Sequence, residues 1–223
     1  MNAALGKGFF SCAVRGCAPC RKDFAMEKVQ WKGGTLLSPV PVVLVTCGTI
    51  EKPAGLTIGW TGITCSDPPK TYISVRPERN SHDIIKETGE FVINMLPSSY
   101  VRQVDYCGIK SCRTEDKLAK MKLIPQECAN INAPQIAQAA ISMECRVTDI
   151  IEQGSHDMFL ADILSVNIDK RLIDERGRLR IEQAGLMAYA HGTYFALGKK
   201  IGSFGYSVKP KRAKNPKYDK KRK

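Results

Sequence analysis

The sequence predicts a mainly β fold with a few short helices. Three observations carry this: short β-branched runs recur between proline and glycine breakers, one segment alternates strictly between apolar and polar residues, and helical windows are few and brief. Many strands with few long helices suit a barrel or sandwich rather than a doubly wound sheet.

The elements follow in order. Val42 to Thr46 is a β-branched run preceded by Pro39 and Pro41, which suit a strand's beginning. Gly55-Leu-Thr-Ile-Gly-Trp-Thr-Gly62 reads as a loop or twisted strand. Thr71 to Arg76 is a short strand set off by Pro68, Pro69 and Pro77. Ser81 to Thr88 reads as a helix capped by Asn80 or Ser81 and stopped by Gly89. Phe91 to Leu96 is a further strand, and Tyr100 to Tyr106 and Glu115 to Met121 are two more helices. Ile141, Met143, Cys145 and Val147 then alternate with Ser142, Glu144, Arg146 and Thr148, predicting a strand with one buried face. Gly154 and Ser155 turn the chain into Met158 to Ile168, the returning strand. Pattern alone leaves the strand order open.

At 223 residues the chain can bury a sizeable core, and one domain is expected over residues 26–208. Residues 1–25 read as an extension outside it, either without fixed structure or produced by an assigned start upstream of the true one. Residues 209–223 read as a basic tail. They hold nine Lys/Arg against Asp219, so +8 of the formal +12 sits there and +4 is left for residues 1–208. Such a run attracts phosphates without selecting among them, and nucleic-acid binding is not expected. No apolar run approaches the roughly 20 residues of a membrane span. Nine cysteines, odd in number and irregularly spaced with no leader before them, fit reduced thiols in a cytoplasmic protein better than a disulfide framework.

The chemistry-bearing motifs are few. There is no P-loop, no Rossmann G-x-G-x-x-G after a strand and no G-x-S-x-G elbow. Cys12, Cys17 and Cys20 have the C-x4-C-x2-C spacing of plant-type iron–sulfur ligation. No fourth ligand is placed and no strand precedes them, so no metal site is expected. In the 55–62 segment, Thr57, Gly59, Trp60 and Thr61 let backbone and hydroxyls approach a polar ligand; a barrel corner with a core tryptophan competes evenly. Arg76 and Arg79 lead into Asn80-Ser81-His82-Asp83 at a helix start, which suits a phosphate or, equally, a cap with solvated charges. His156 sits at the predicted hairpin turn, where a lone histidine is more often a surface residue.

Taken together, Pro41-Val-Val-Leu-Val-Thr-Cys47, Gly55 to Gly62, Ser66-Asp-Pro-Pro69, Tyr72-Ile-Ser-Val-Arg76 and Ser81-His-Asp-Ile-Ile85 form one ordered set of segments. It continues through Glu90-Phe-Val-Ile-Asn94, Asp105-Tyr-Cys-Gly108, Gly154-Ser-His-Asp-Met-Phe159, Ala188-Tyr-Ala-His-Gly192, Tyr194-Phe-Ala-Leu-Gly198 and Gly202-Ser-Phe-Gly-Tyr206. The set resembles the flavin-reductase-like family, and within it flavoredoxins, over about residues 28–208. The resemblance implies an FMN-binding split β-barrel, a homodimer, and one FMN per subunit near the dimer interface. It carries flavin contacts onto Trp60, Ser81, Lys117, His156 and Tyr189, with Thr57, Gly59, Thr61, Ser74, Arg76, Asn80 and His82 as further cofactor-binding candidates in the same segments. Trp60 and Tyr189 offer aromatic surface to the ring. Ser81, Lys117 and Arg76 suit the phosphate. His156, the candidate catalytic residue, can donate to the ring. Relatives often carry Asn where this chain has Ala54, so a side-chain contact to the cofactor is missing there. Lys117 as a solvated helix residue and His156 as a turn-fixing residue are the plain alternatives.

Two functions fit that resemblance. One is an NAD(P)H-dependent flavin reductase, with NADH or NADPH as electron donor. The other is a flavoredoxin-type electron carrier reduced by a partner protein.

Overall fold

Strand β2 (Val43–Gly48) is buried on both faces, which explains why its sequence is a solid apolar run rather than an alternating one. The computed structural model describes residues 27–208. Val43, Val45 and Cys47 of β2 meet Ala54, Leu56 and Ile58 of β3 (Pro53–Ile58) in one core cluster. Leu44 points the other way. It packs with Val104 and Cys107 of α2 (Val101–Ile109) and Leu118 of α3 (Lys117–Lys120).

The main sheet is completed by β4 (Thr61–Ser66), β5 (Pro69–Val75), β6 (Glu90–Met95), β9 (Ile141–Glu152) and β10 (Asp157–Ile168). Its order is β3-β2-β6-β9-β10-β5-β4, antiparallel throughout. The two outermost strands, β3 and β4, are separated in the chain only by Gly59 and Trp60. Three residue steps reach at most about 11 Å, so the sheet has to curl until its edges meet. At that joint the Ser74 amide donates to the Trp60 carbonyl at 2.9 Å. β3 and β4 are not strand partners, which leaves a barrel open along one seam: the expected split barrel. A smaller sheet pairs β1 (Val40–Pro41), β11 (Met187–Ala190) and β12 (Thr193–Ala196), and β7 (Pro125–Gln126) pairs with β8 (Gln135–Ile136).

Two local expectations are corrected. The helix α1 (Asn80–Thr88) is N-capped by Arg79, with no side-chain cap, whereas its stop at Gly89 (φ +68°) stands as read. The second correction concerns β9, which has no single buried face. Ser142 and Glu144 are buried as well, because residues 128–136 cover them. Glu144 accepts from the Asn130 amide at 2.8 Å, from Asn130 Nδ2 at 3.0 Å and from Asn167 Nδ2 at 2.9 Å. Burial opposes its charge, but these donors outweigh it and hold the carboxyl below the usual range.

The chain divides into the units Met1–Thr35 and Leu36–Lys223. Residues 27–35 of the first are exposed and carry neither helix nor strand. Cys12, Cys17, Cys20 and the tail 209–223 lie outside the described residues. Among those described, no helix is long and apolar enough to cross a membrane.

Candidate functional site

The end of β3, the Gly59–Trp60 joint, the end of β5, α2, the β9–β10 turn and the β11–β12 hairpin converge on a cavity of about 420 Å³. Thr57 Oγ1 donates to the Val104 carbonyl at 2.6 Å and pins α2 onto β3. Gly108 packs beside that bond, where a Cβ would stand 3.4 Å from Thr57 Cβ. The β11–β12 turn is a two-residue one, with positive φ at His191 (44°) and Gly192 (86°), the geometry that matches strand twist. It brings Tyr189 and Tyr194 edge-to-face at 5.4 Å on the cavity wall. Tyr194 donates to Asp105 Oδ1 at 3.0 Å. Burial, then the Asp105 carboxylate, pushes the Tyr194 hydroxyl up to about 12, so it stays a donor at neutral pH.

Charge concentrates at one end. Arg76 and Arg79 line the wall just before α1 begins. His156 lines the same cavity, with Nδ1 2.9 Å from Ser155 Oγ. Burial, then Arg76, holds its ring below the ordinary histidine value, against the opposing pull of Glu78. A base depressed in the folded state is protonated first in the unfolded chain. The stability its neutral ring contributes is therefore complete above pH about 6.5 and is lost as pH falls from there through the lower folded-state value. In an NMR titration the His156 ring should reach its midpoint below pH about 6.5. A midpoint above that would contradict the downward pull of burial and Arg76.

Of the residues singled out from sequence, Thr57, Gly59, Trp60, Ser74, Arg76, His156 and Tyr189 come together on this wall. The others do not. Ala54 sits in the core cluster. Thr61 donates to the Tyr72 carbonyl at 2.6 Å. Asn80 and Ser81 open α1 behind the arginines, Ser81 buried. His82 is buried against Asp157. Lys117, far from being a solvated helix residue, is 2% exposed and donates to the carbonyls of Cys107 (2.8 Å) and Lys110 (2.9 Å), at the C-terminal end of α2. Arg79, paired with Arg76 in the sequence reading, also lines the cavity, whereas Asp105 and Tyr194 carry no role from sequence. The signal for those two lay in the segments Asp105 to Gly108 and Tyr194 to Gly198, but only folding brings them together.

The described cysteines are all free. Burial pushes Cys47, Cys107 and Cys145 up to about 12, about 11 and about 12, so none is a ready nucleophile. Among the described residues no cluster of three or more His, Cys, Asp or Glu could hold a metal ion.

The family described as the flavin reductase like domain matches residues 36–198. This chain belongs to that family. Its fold superposes on the flavoredoxin of Desulfovibrio vulgaris (Miyazaki F) with a TM-score of 0.76 at 28% identity, covering 82% of this chain and 100% of that one. It is similar to the reductase component of a 4-nitrophenol 4-monooxygenase/4-nitrocatechol 2-monooxygenase from Rhodococcus opacus, 26% identical over 55% of this chain and 63% of that protein. It is also similar to an NADH:riboflavin 5′-phosphate oxidoreductase from Streptomyces pristinaespiralis, 22% identical over 64% of this chain and 77% of that protein. As a flavin-reductase-like protein, it brings Trp60, Tyr189, Tyr194, Arg76 and Arg79 to one cavity at the seam of the split barrel.

Proposed function

We propose that the chain binds FMN in this cavity and works as an NAD(P)H-dependent flavin reductase. One observation carries the reading: aromatic walls at Trp60 and Tyr189 and a cationic helix start at Arg76 and Arg79 share one cavity of mononucleotide size. FMN, when bound, supplies the two-electron chemistry itself. The residues supply the rest. Arg76 and Arg79 take the phosphate. Trp60 and Tyr189 flank the ring. His156, neutral at pH 7, offers a hydrogen bond without adding charge. A homodimer with the site near its interface and a cytoplasmic location complete the reading. The Streptomyces relative, named for its use of NADH, supports nicotinamide as donor. A second reading, an electron carrier reduced by a partner protein, is favoured by the likeness to flavoredoxin over the whole of that chain.

Stopped-flow mixing of FMN-loaded protein with NADH or NADPH separates the two. Rapid bleaching at roughly 450 nm is expected. Indifference to both nucleotides would turn the assignment to the carrier, and protein that takes up no FMN would end both.

A further inference from the structure

Behind the cavity, one residue holds a short loop at both ends. The backbone of Asp157, at the start of β10, pairs in register with Val75, the last residue of β5. Its side chain reaches the first turn of α1, where Asp157 Oδ2 lies 2.8 Å from His82 Nε2. The intervening residues 76–81, which include Arg76 and Arg79, thus form a loop closed on Asp157. The next residue back along the chain is His156, on the cavity wall.

The clamp is built into the protein rather than laid on its surface. His82 is 4% exposed and Asp157 6%. The His82 ring meets Phe159 edge-on at 5.4 Å, and the His82 amide donates to the Arg79 carbonyl at 3.0 Å. The other ring nitrogen, Nδ1, faces Asp83 Oδ1 at 3.1 Å, and exposed Asp83 also pairs with Arg113 at 3.2 Å. A surface pair of that kind contributes little, whereas removing one partner of a buried bond leaves the other unsatisfied.

We propose that Asp157 and His82 are positioning residues that hold Arg76, Arg79 and His156 as one rigid unit, setting the phosphate end of the site against the ring end. The proposal rests on the FMN reading given above.

The test is a double-mutant cycle read by FMN and riboflavin titration of the full chain. Asp157→Ala is expected to weaken FMN on the order of tenfold, and riboflavin, which has no phosphate, clearly less. In combination with Arg76→Ala the FMN losses should fall short of multiplying, because both changes remove the same arginine contact. Asp157→Asn, which keeps an acceptor and a donor for His82, should restore most of the affinity. Should Asp157→Ala not fold, His82→Phe carries the same test, since it keeps a ring against Phe159 and loses the nitrogens. Equal losses for both flavins that multiply with Arg76→Ala would reduce the pair to a structural role and overturn the proposal. So would unchanged FMN affinity in folded Asp157→Ala or His82→Phe, with the FMN reading intact. Wild-type protein that binds no FMN would remove that reading and the clamp with it.

Discussion

Replacing Asn94 with leucine is expected to remove about 4–6 kcal/mol of folding stability, among the largest effects a single substitution can have. Asn94 lies in β6 at 0% exposure, and every polar atom of its side chain is engaged. Nδ2 donates to the Leu44 carbonyl at 3.0 Å and to Thr46 Oγ1 at 2.9 Å. Oδ1 accepts from the Ile136 amide at 2.9 Å and from Ser142 Oγ at 2.8 Å. Thr46 in turn donates to the Pro134 carbonyl. One amide therefore ties β2, β6 and β9 to β8 and the segment before it. Leucine matches the volume, but it leaves a buried amide, a hydroxyl and a carbonyl without these partners, at about 1–3 kcal/mol each. Typical domains have only about 5–15 kcal/mol in all, so much of the chain should be unfolded or held by a slender margin. Urea unfolding would show this as a lowered midpoint with an unchanged slope. A loss under about 2 kcal/mol would mean that water or rearrangement satisfies the orphaned groups.

That network also marks where the sequence stops being readable. Strands with breakers at both ends, such as β5 and β6, stand out from local pattern alone, as does the β9–β10 hairpin with its turn at Gly154 (φ +86°). Asn94 does not, because a single polar residue inside an apolar run gives no hint that four partners from distant segments converge on it. The same limit hid the second buried face of β9. Glu144 and Ser142 look solvent-facing by alternation, but Asn130 of the covering loop and Asn167 of β10 pair with Glu144, and Asn94 of β6 pairs with Ser142. At the site, Trp60, Arg76 and His156 stand out only through the family resemblance, since local pattern gives each a plain alternative of equal or greater weight. The Tyr194–Asp105 bond spans 89 positions and has no local trace. Lys117 was open to misreading for a related reason: a lysine in a short helix is solvated by default, and the two carbonyls that bury it belong to the end of another helix.

Lys117 and Arg76 should therefore behave oppositely when each is removed. Arg76→Ala is expected to weaken FMN binding by about tenfold to a hundredfold and riboflavin little, as the loss of a charge-assisted bond to phosphate demands. Its cost in stability should be small, since its one ion pair, to Glu78 at 3.3 Å, is exposed. Lys117→Met keeps a long apolar stem in place but leaves the Cys107 and Lys110 carbonyls unpaired at the negative end of α2. It should cost about 2–4 kcal/mol of stability, less than the sum of two charged hydrogen bonds because burying the ammonium was itself unfavourable. If Lys117 also reaches the phosphate through its remaining proton, Lys117→Met will weaken FMN more than riboflavin at temperatures where the variant is fully folded. Thermal unfolding of both variants, with titrations of both flavins well below each midpoint, keeps the two effects apart. A stable Lys117→Met that loses FMN selectively would make the lysine a phosphate ligand first and a helix cap second. An Arg76→Ala that binds both flavins as the parent does would remove the arginine end of the cavity from the phosphate site altogether.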